Sequence, residues 1–152
     1  MSFSNEKALG FAVKSSEINK NEHTGFVLQA FVKKWKVNDV HTEFVFQVFA
    51  NKWFVLITQY GRVPNLYAVR FDLQRSESIP IINNPELHIS IPVTINCAFG
   101  ADKDEVRSGI QYLVNKSKLN RCPQEFIISL GLKEINGSNL NEVAKILDEI
   151  IT

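Results

Sequence analysis

The residue types that most often carry chemistry are few in this chain, and they are not grouped. The three histidines, His23, His41 and His88, are not spaced to meet on one helix face, and no carboxylate cluster accompanies them. A metal site needs several converging ligands, and the glycines do not form a Gly-rich phosphate-binding loop. The sequence therefore predicts no metal and no cofactor.

The two cysteines, Cys97 and Cys122, are far apart in sequence and lack metal-ligand spacing. They are typical of reduced thiols in a cytosolic or nuclear protein, with a single disulfide as the alternative. Cys97 falls on the apolar face of a predicted strand, where a thiol is buried and inert. Cys122, in a predicted loop between Arg121 and Pro123, is the better candidate for a reactive thiol.

Two charged groups have structural explanations that we favour over functional ones. Asp102, Asp104 and Glu105 precede a predicted helix, where carboxylates complement the helix dipole rather than form an acid–base pair. The segment 33–36, three lysines around Trp35, could contact phosphate and stack a base. Lysines also protect the edge of a sheet against further pairing. We expect no catalytic residue and no enzyme.

Composition limits the class of protein. The chain has 152 residues, 45% of them hydrophobic and 22% charged, with a formal net charge of +1. This favours a folded domain and gives no reason to expect nucleic acid or an anionic membrane as a partner. The N-terminus lacks the apolar core of a signal peptide, and no apolar run approaches the roughly 20 residues that span a bilayer. We expect a soluble protein of the cytoplasm, with the nucleus as a second compartment.

The stretch from Trp53 to Arg62 organises the predicted fold. It opens with five bulky apolar residues and ends in a glycine turn, which is typical of a buried strand. Hydrophobic patterns predict the order βββββαβα, with strands at 26–35, 40–50, 53–57, 66–71, 87–98 and 126–132. The helices are predicted after Asp102, which would cap the first, and from about Asn139 onward.

These elements predict an α+β domain, a six-stranded, mainly antiparallel meander sheet packed by two helices from the C-terminal half. We expect a flexible arm at 1–24, a single domain at 25–152 and a long irregular connection at 72–86. The fourth strand is expected to pair back on the third. Pro92 points to an edge position for the fifth strand, because proline cannot donate to a ladder.

Both faces of this sheet are predicted to be apolar. Trp53, Val55 and Ile57 share one face of the third strand, while Phe54 and Leu56 share the other. Two short helices can cover only one side. The second side must be closed by sheet curvature, by the N-terminal arm or by another subunit.

Several segments together resemble the proteasome assembly chaperone 3 family. The principal motif is Val55-Leu-Ile-Thr-Gln-Tyr-Gly-Arg62, followed by the strand Asn65-Leu-Tyr-Ala-Val69. Further similarity lies in Cys97-Ala-Phe-Gly100 before an acidic helix start, in Glu125–Glu134 and in the closing helix Leu140–Ile151. The matches follow the same element order as the predicted fold and cover about residues 26–151.

The resemblance implies a non-enzymatic chaperone that binds proteasome α-type subunits while the α ring of the 20S particle forms, and then dissociates. It also implies a dimer, formed with a second small chaperone of the same fold or with itself. A like-folded partner would then bury the second apolar face. We expect the contact with α subunits at Gln59, Tyr60, Gly61 and Arg62 and in the loop 72–86, because loops on a rigid sheet often carry recognition.

Other readings stay open at this point. Thr58 and Gln59 could simply cap a strand end, with Gly61 forming a positive-φ turn. The chain could be a profilin-like or roadblock-like dimeric scaffold for another protein. A small hydrolase using Cys122 and a single-stranded nucleic-acid binder using Lys33, Trp35 and Lys36 are further, lower-ranked hypotheses.

Overall fold

A computed structural model describes residues 29–72 and 90–151. The predicted arm at 1–24 and the connection at 72–86, except Asp72, lie outside these residues. No helix within the described ranges is long and apolar enough to cross a membrane. The strands are β1 Gln29–Val37, β2 Val40–Val48, β3 Lys52–Thr58, β4 Leu66–Phe71, β5 Val93–Phe99 and β6 Glu125–Gly131; the helices are α1 Asp104–Lys116 and α2 Gly137–Ile150, with a 3₁₀ turn at Lys118–Arg121.

The six strands form one sheet in the order β1-β2-β3-β6-β4-β5. All neighbours are antiparallel except β3 and β6, which are parallel. The predicted α+β class, element order and two late helices are confirmed. The expected pairing of the fourth strand with the third is wrong, since β6 lies between them. Strands with two apolar faces favour the middle of a sheet, and both β3 and β6 have this pattern.

Both helices pack on the same face of the sheet and enclose the hydrophobic core. Arg107 of α1 donates to the carbonyl of Ile95 in β5, and Gly109 lies against Leu130 of β6. Facing strand residues that are at most 5% exposed include Phe44, Phe46, Val55, Ile57, Tyr67, Val69, Phe126, Ile128 and Leu130. This arrangement gives the sheet one dry face.

The β1–β2 hairpin is closed by a two-residue turn, Asn38-Asp39, with positive φ angles of 48° and 69°. Asparagine and aspartate tolerate this left-handed backbone, which matches the twist of a hairpin. The Asn38 amide donates to Ser138 Oγ at 3.1 Å and to Asn139 Oδ1 at 2.6 Å. The hairpin tip is therefore tied to the start of α2.

The starts of α1, α2 and β5 differ from the prediction, while the other predicted ends that fall on described residues agree within two residues. Helix α1 begins at Asp104 with Lys103 as N-cap and no side-chain cap, so Asp102 does not cap it. Helix α2 begins two residues earlier than expected, where the Asn136 side chain accepts from the Asn139 amide. Strand β5 is shorter than predicted because 90–92 are not strand, and 87–89 lie outside the described residues. It is nevertheless an edge strand, as Pro92 indicated.

A side chain, not a backbone group, extends the pairing of β4 with β6. The Asn65 amide nitrogen donates to the carbonyl of Leu130, and its oxygen accepts from the Leu130 amide, both at 2.9 Å. Asn65 is only 6% exposed. The side chain thus takes the place of a neighbouring strand just before β4 begins. We call this pair of hydrogen bonds the Asn65 clamp.

We expect Asn65→Ala to destabilise the domain by about 1–3 kcal/mol, because both backbone groups of Leu130 would stay buried without partners. Chemical denaturation of the purified protein measures the free energy of unfolding. Asn141→Ala, at an exposed position of α2, is the matched control and should leave stability unchanged or slightly raised. Equal stability of Asn65→Ala and wild type would contradict the clamp.

Candidate functional site

The turn after β3 is fixed by Thr58. Its hydroxyl donates to the carbonyl of Arg62 at 2.8 Å and accepts from the amide of Tyr60 at 3.0 Å. Gly61 has a φ of +68°, a left-handed backbone that glycine adopts without steric cost. The threonine and glycine of the predicted motif therefore have clear structural roles.

Gln59 joins three parts of the fold. Its backbone amide donates to Gly131 at 2.8 Å, and its side-chain nitrogen donates to Thr42 Oγ1 at 3.1 Å. Its side-chain oxygen accepts from the Lys133 amide at 2.8 Å. The side chain of Gln59 is thus fully occupied in holding β2, β3 and the segment after β6 together.

The four residues predicted to bind a partner therefore divide into two groups. Gln59 is half-buried and is bonded within the chain. Tyr60, Gly61 and Arg62 are exposed at the tip of the turn, and Tyr60 is 48% exposed. The structure gives Gln59 the structural role that was left open, and it leaves the other three accessible. Their contact with a partner stays a prediction.

A second loop, at the end of β5, packs against this turn. Gly100 has a φ of +82°, and a Cβ built there would lie 2.5 Å from the carbonyl oxygen of Pro64 and 3.1 Å from Asn65 Cα. Only glycine allows the two backbones to approach so closely. The loops after β3 and β5 are therefore positioned as one unit.

Tyr67 holds the beginning of α1 in place. Its hydroxyl accepts from the Lys103 amide at 3.0 Å and lies 3.3 Å from Asp102 Oδ1. Asp102 pairs with Arg107, whose Nε and Nη2 donate to the carboxylate at 2.7 and 2.8 Å. Burial raises the pKa of Tyr67, while the hydrogen bond from Arg107 lowers the pKa of Asp102. At neutral pH this site is an ion pair beside a neutral phenol.

The sheet face away from the helices is apolar at its centre, and no other described element covers it. We call it the open face. Its apolar side chains are half-buried and lie in adjacent registers of the sheet: Val32, Val45, Phe54, Leu56, Ala68 and Ile127. The second apolar face predicted from the sequence is thus confirmed, and neither described helix lies on it.

The remaining candidate residues do not assemble into a site. Cys122 is 1% exposed and its thiol donates to the carbonyl of Glu125, so the expectation of an accessible loop thiol is wrong. Cys97 and Cys122 do not form a disulfide, and Cys97 is half-buried rather than buried as expected. His88 and His23 lie outside the described residues, and His41 lines a hollow with Lys34 and Glu43.

Strand alternation divides the basic segment 33–36 between the two faces. Lys33 and Trp35 lie on the helix side, with the lysine nitrogen 5.1 Å from the ring centroid, while Lys34 and Lys36 lie on the other. Trp35 is half-buried against the core. Because the tryptophan and two of the lysines face opposite ways, the geometry does not favour a surface that stacks a base and contacts its phosphate.

The comparison with family models covers most of this fold. The model described as proteasome assembly chaperone 3 matches residues 55–150, from the middle of β3 to the end of α2. The chain belongs to the proteasome assembly chaperone 3 family. The resemblance inferred from the Thr-Gln-Tyr-Gly motif is thereby confirmed, and the family is one of chaperones.

A solved structure has a similar fold. It is described as the crystal structure of a novel chaperone complex for yeast 20S proteasome assembly. The match has a TM-score of 0.56 at 14% sequence identity and covers 81% of this chain and 98% of that one. At this identity the likeness concerns the fold alone. A search of curated proteins found no significant match.

Two sets of side-chain hydrogen bonds in this chain were not predicted from the sequence. The clamp of Asn65 on Leu130 joins segments 65 residues apart, and the Tyr67–Asp102–Arg107 network joins β4 to α1. The only local signals were a polar residue opening an apolar strand and an arginine five residues after an aspartate. Neither pattern identifies its distant partner.

Gly100 and Gly61 provide a paired test of the loop contact. Gly100→Ala should destabilise the domain by about 2–4 kcal/mol, because backbone strain adds to a clash with Pro64. Gly61→Ala should cost about 1 kcal/mol, since its φ is also positive but nothing lies within 4 Å of the added Cβ. Thermal or chemical unfolding measures both, and equal losses would contradict the packed loops.

Proposed function

We propose that this chain is a non-enzymatic assembly chaperone that binds proteasome α-type subunits during formation of the 20S α ring and then dissociates. It acts as a dimer, with a second small chaperone of the same fold or with another copy of itself. The proposal places it in the cytoplasm and the nucleus, where proteasomes assemble. Nucleic acid, membranes and cofactors have no part in it.

The observation that carries the proposal is the family match over 55–150, which includes the second half of β3, the turn after it and all of β6. The described residues include no group of three or more metal-ligating side chains, and the thiol of Cys122 is buried.

The open face supports dimer formation. Sheets stack about 10 Å apart by burying apolar side chains between them, and this face presents an apolar centre. The Ser129 hydroxyl is buried on the same face and lacks a hydrogen-bond partner among the described residues. A stacked partner sheet would bury Val45, Leu56 and Ile127 and could supply a polar group to Ser129.

The mechanism requires no bond to be made or broken. A chaperone dimer would hold an α subunit in an orientation that favours the correct neighbour and masks wrong contacts. Its affinity must be low enough for later subunits to displace it. An interface of modest area formed by loops satisfies that requirement better than a large apolar one.

Affinity capture of the tagged protein from its own cell extract tests the role. We expect α-type subunits without mature β subunits, together with one small protein of similar size, identified by mass spectrometry. Mature proteasomes, or no proteasome subunits at all, would contradict the proposal. A profilin-like or roadblock-like scaffold would then be the better interpretation.

Leu56→Lys tests the dimer surface. A lysine at the centre of the open face would be buried without a partner charge, so we expect dimer affinity to fall by at least about 100-fold. Light scattering measures this for the purified chain alone and for the chain co-expressed with its captured small partner. Asn141→Lys, exposed on α2, adds the same charge away from the face and should leave the dimer intact. A Leu56→Lys variant that stays dimeric would exclude this face.

A further inference from the structure

Large apolar side chains are exposed at one end of the sheet. Tyr60, Val63 and Phe99 are 48%, 39% and 56% exposed, and we call these three residues the end patch. They lie where β3, β5 and β6 all finish, because these strands run in the same direction. Most other large apolar side chains of the described chain are buried or half-buried, so this exposure requires an explanation.

The backbone under the end patch is held firmly. Thr58 closes the turn that carries Tyr60 and Val63, and Gly100 packs the Phe99 loop onto Pro64. Asn65, the residue after Pro64, is held to β6 by its two hydrogen bonds with Leu130. Exposed side chains on a fixed backbone can bind with little loss of conformational entropy, so the patch is prepared for recognition.

The patch also lies beside a hollow on the helix side of the sheet. The hollow measures about 290 Å³, and its lining includes Tyr60, Pro64, Ala101, Leu132 and Ile135. Gly61, on the other side of the same turn, lines a separate hollow with Lys34, His41 and Glu43. A partner that enters the Tyr60 hollow would therefore approach from the side opposite to the open face.

The charges around Tyr60 favour an acidic partner. Lys103 and Lys133 line its hollow, together with Glu105, and Arg62 is exposed in the same turn. The nearby carboxylate of Asp102 is already paired with Arg107. Within the lining two cations face one carboxylate, so the hollow itself has a local charge of +1, and Arg62 adds a cation in the adjoining turn.

We propose that the end patch is the surface that holds the client subunit, and that it takes a segment with an apolar side chain flanked by carboxylates. This inference rests on the proposed function, which makes the client a proteasome α-type subunit. It adds Val63 and Phe99 to the predicted turn, and it assigns client binding and dimer formation to separate surfaces. The apolar side chain packs on the exposed Tyr60, Val63 and Phe99, and the carboxylates face Arg62, Lys103 and Lys133.

The test uses the full chain in its dimeric form and each purified α-type subunit of the same organism as probe. The double variant Tyr60→Ser/Phe99→Ser should bind its α subunit about 30-fold more weakly in calorimetry, because anchor residues dominate interface affinity. Lys133→Glu should weaken binding about fivefold by placing like charges together. Phe31→Ser, on the edge strand β1 and 39% exposed, is the control and should bind as wild type.

The outcomes separate this inference from the function on which it rests. If the wild type binds no α subunit, the proposed function fails and the inference fails with it. If the wild type binds and the double variant binds equally well, only the inference fails. Loss of the dimer in the double variant, measured by light scattering, would also overturn it, because the patch would then belong to the dimer surface.

Discussion

The rest of the structure depends on the parallel pairing of β3 with β6. This ladder joins Lys52–Thr58 to Glu125–Gly131 and places two strands with apolar faces on both sides at the centre of the sheet. Because β6 occupies the place beside β3, β4 cannot fold back on its predecessor. The chain must cross the end of β6 first, and the turn from Thr58 to Asn65 makes that crossing. The motif that resembles the family, Val55–Arg62, therefore contains the start of the turn that lets β6 lie between β3 and β4.

This crossing explains why so many polar side chains near the turn form hydrogen bonds within the chain. Gln59 bonds to the residues that follow β6, and Asn65 completes the pairing of β4 with β6. Gly131, at the end of β6, leaves room for Pro64, whose Cγ would lie 2.6 Å from an added Cβ. A short connection across a neighbouring strand cannot use ladder hydrogen bonds, so side chains satisfy the buried backbone instead.

Local sequence patterns were sufficient to predict the strands and helices. They were not sufficient to predict which strands pair or which side chains contact each other. Apolar runs placed β3 and β6 correctly, but two such runs do not state that they will pair in parallel across a helix. Asp102 resembled a helix cap, yet Arg107 and Tyr67 compete for its carboxylate and the helix begins later. Cys122 resembled a loop thiol because Arg121 and Pro123 flank it. The 3₁₀ turn before it instead directs the side chain inward, where the thiol reaches the carbonyl of Glu125.

The position of β6 beside β3 also separates the two surfaces that a reversible chaperone needs, one for its dimer partner and one for its client. Helices on one face of the sheet leave the other face for a stable apolar contact, whose strength grows with buried area. The turn that β6 forces at the end of the sheet is small, rigid and partly charged, which suits a weaker contact that can be displaced. A dimer held by the open face could thus persist while clients bind and leave at the end patch. Since the strand ladders connect both surfaces rigidly, the orientation of the client would follow from that of the dimer.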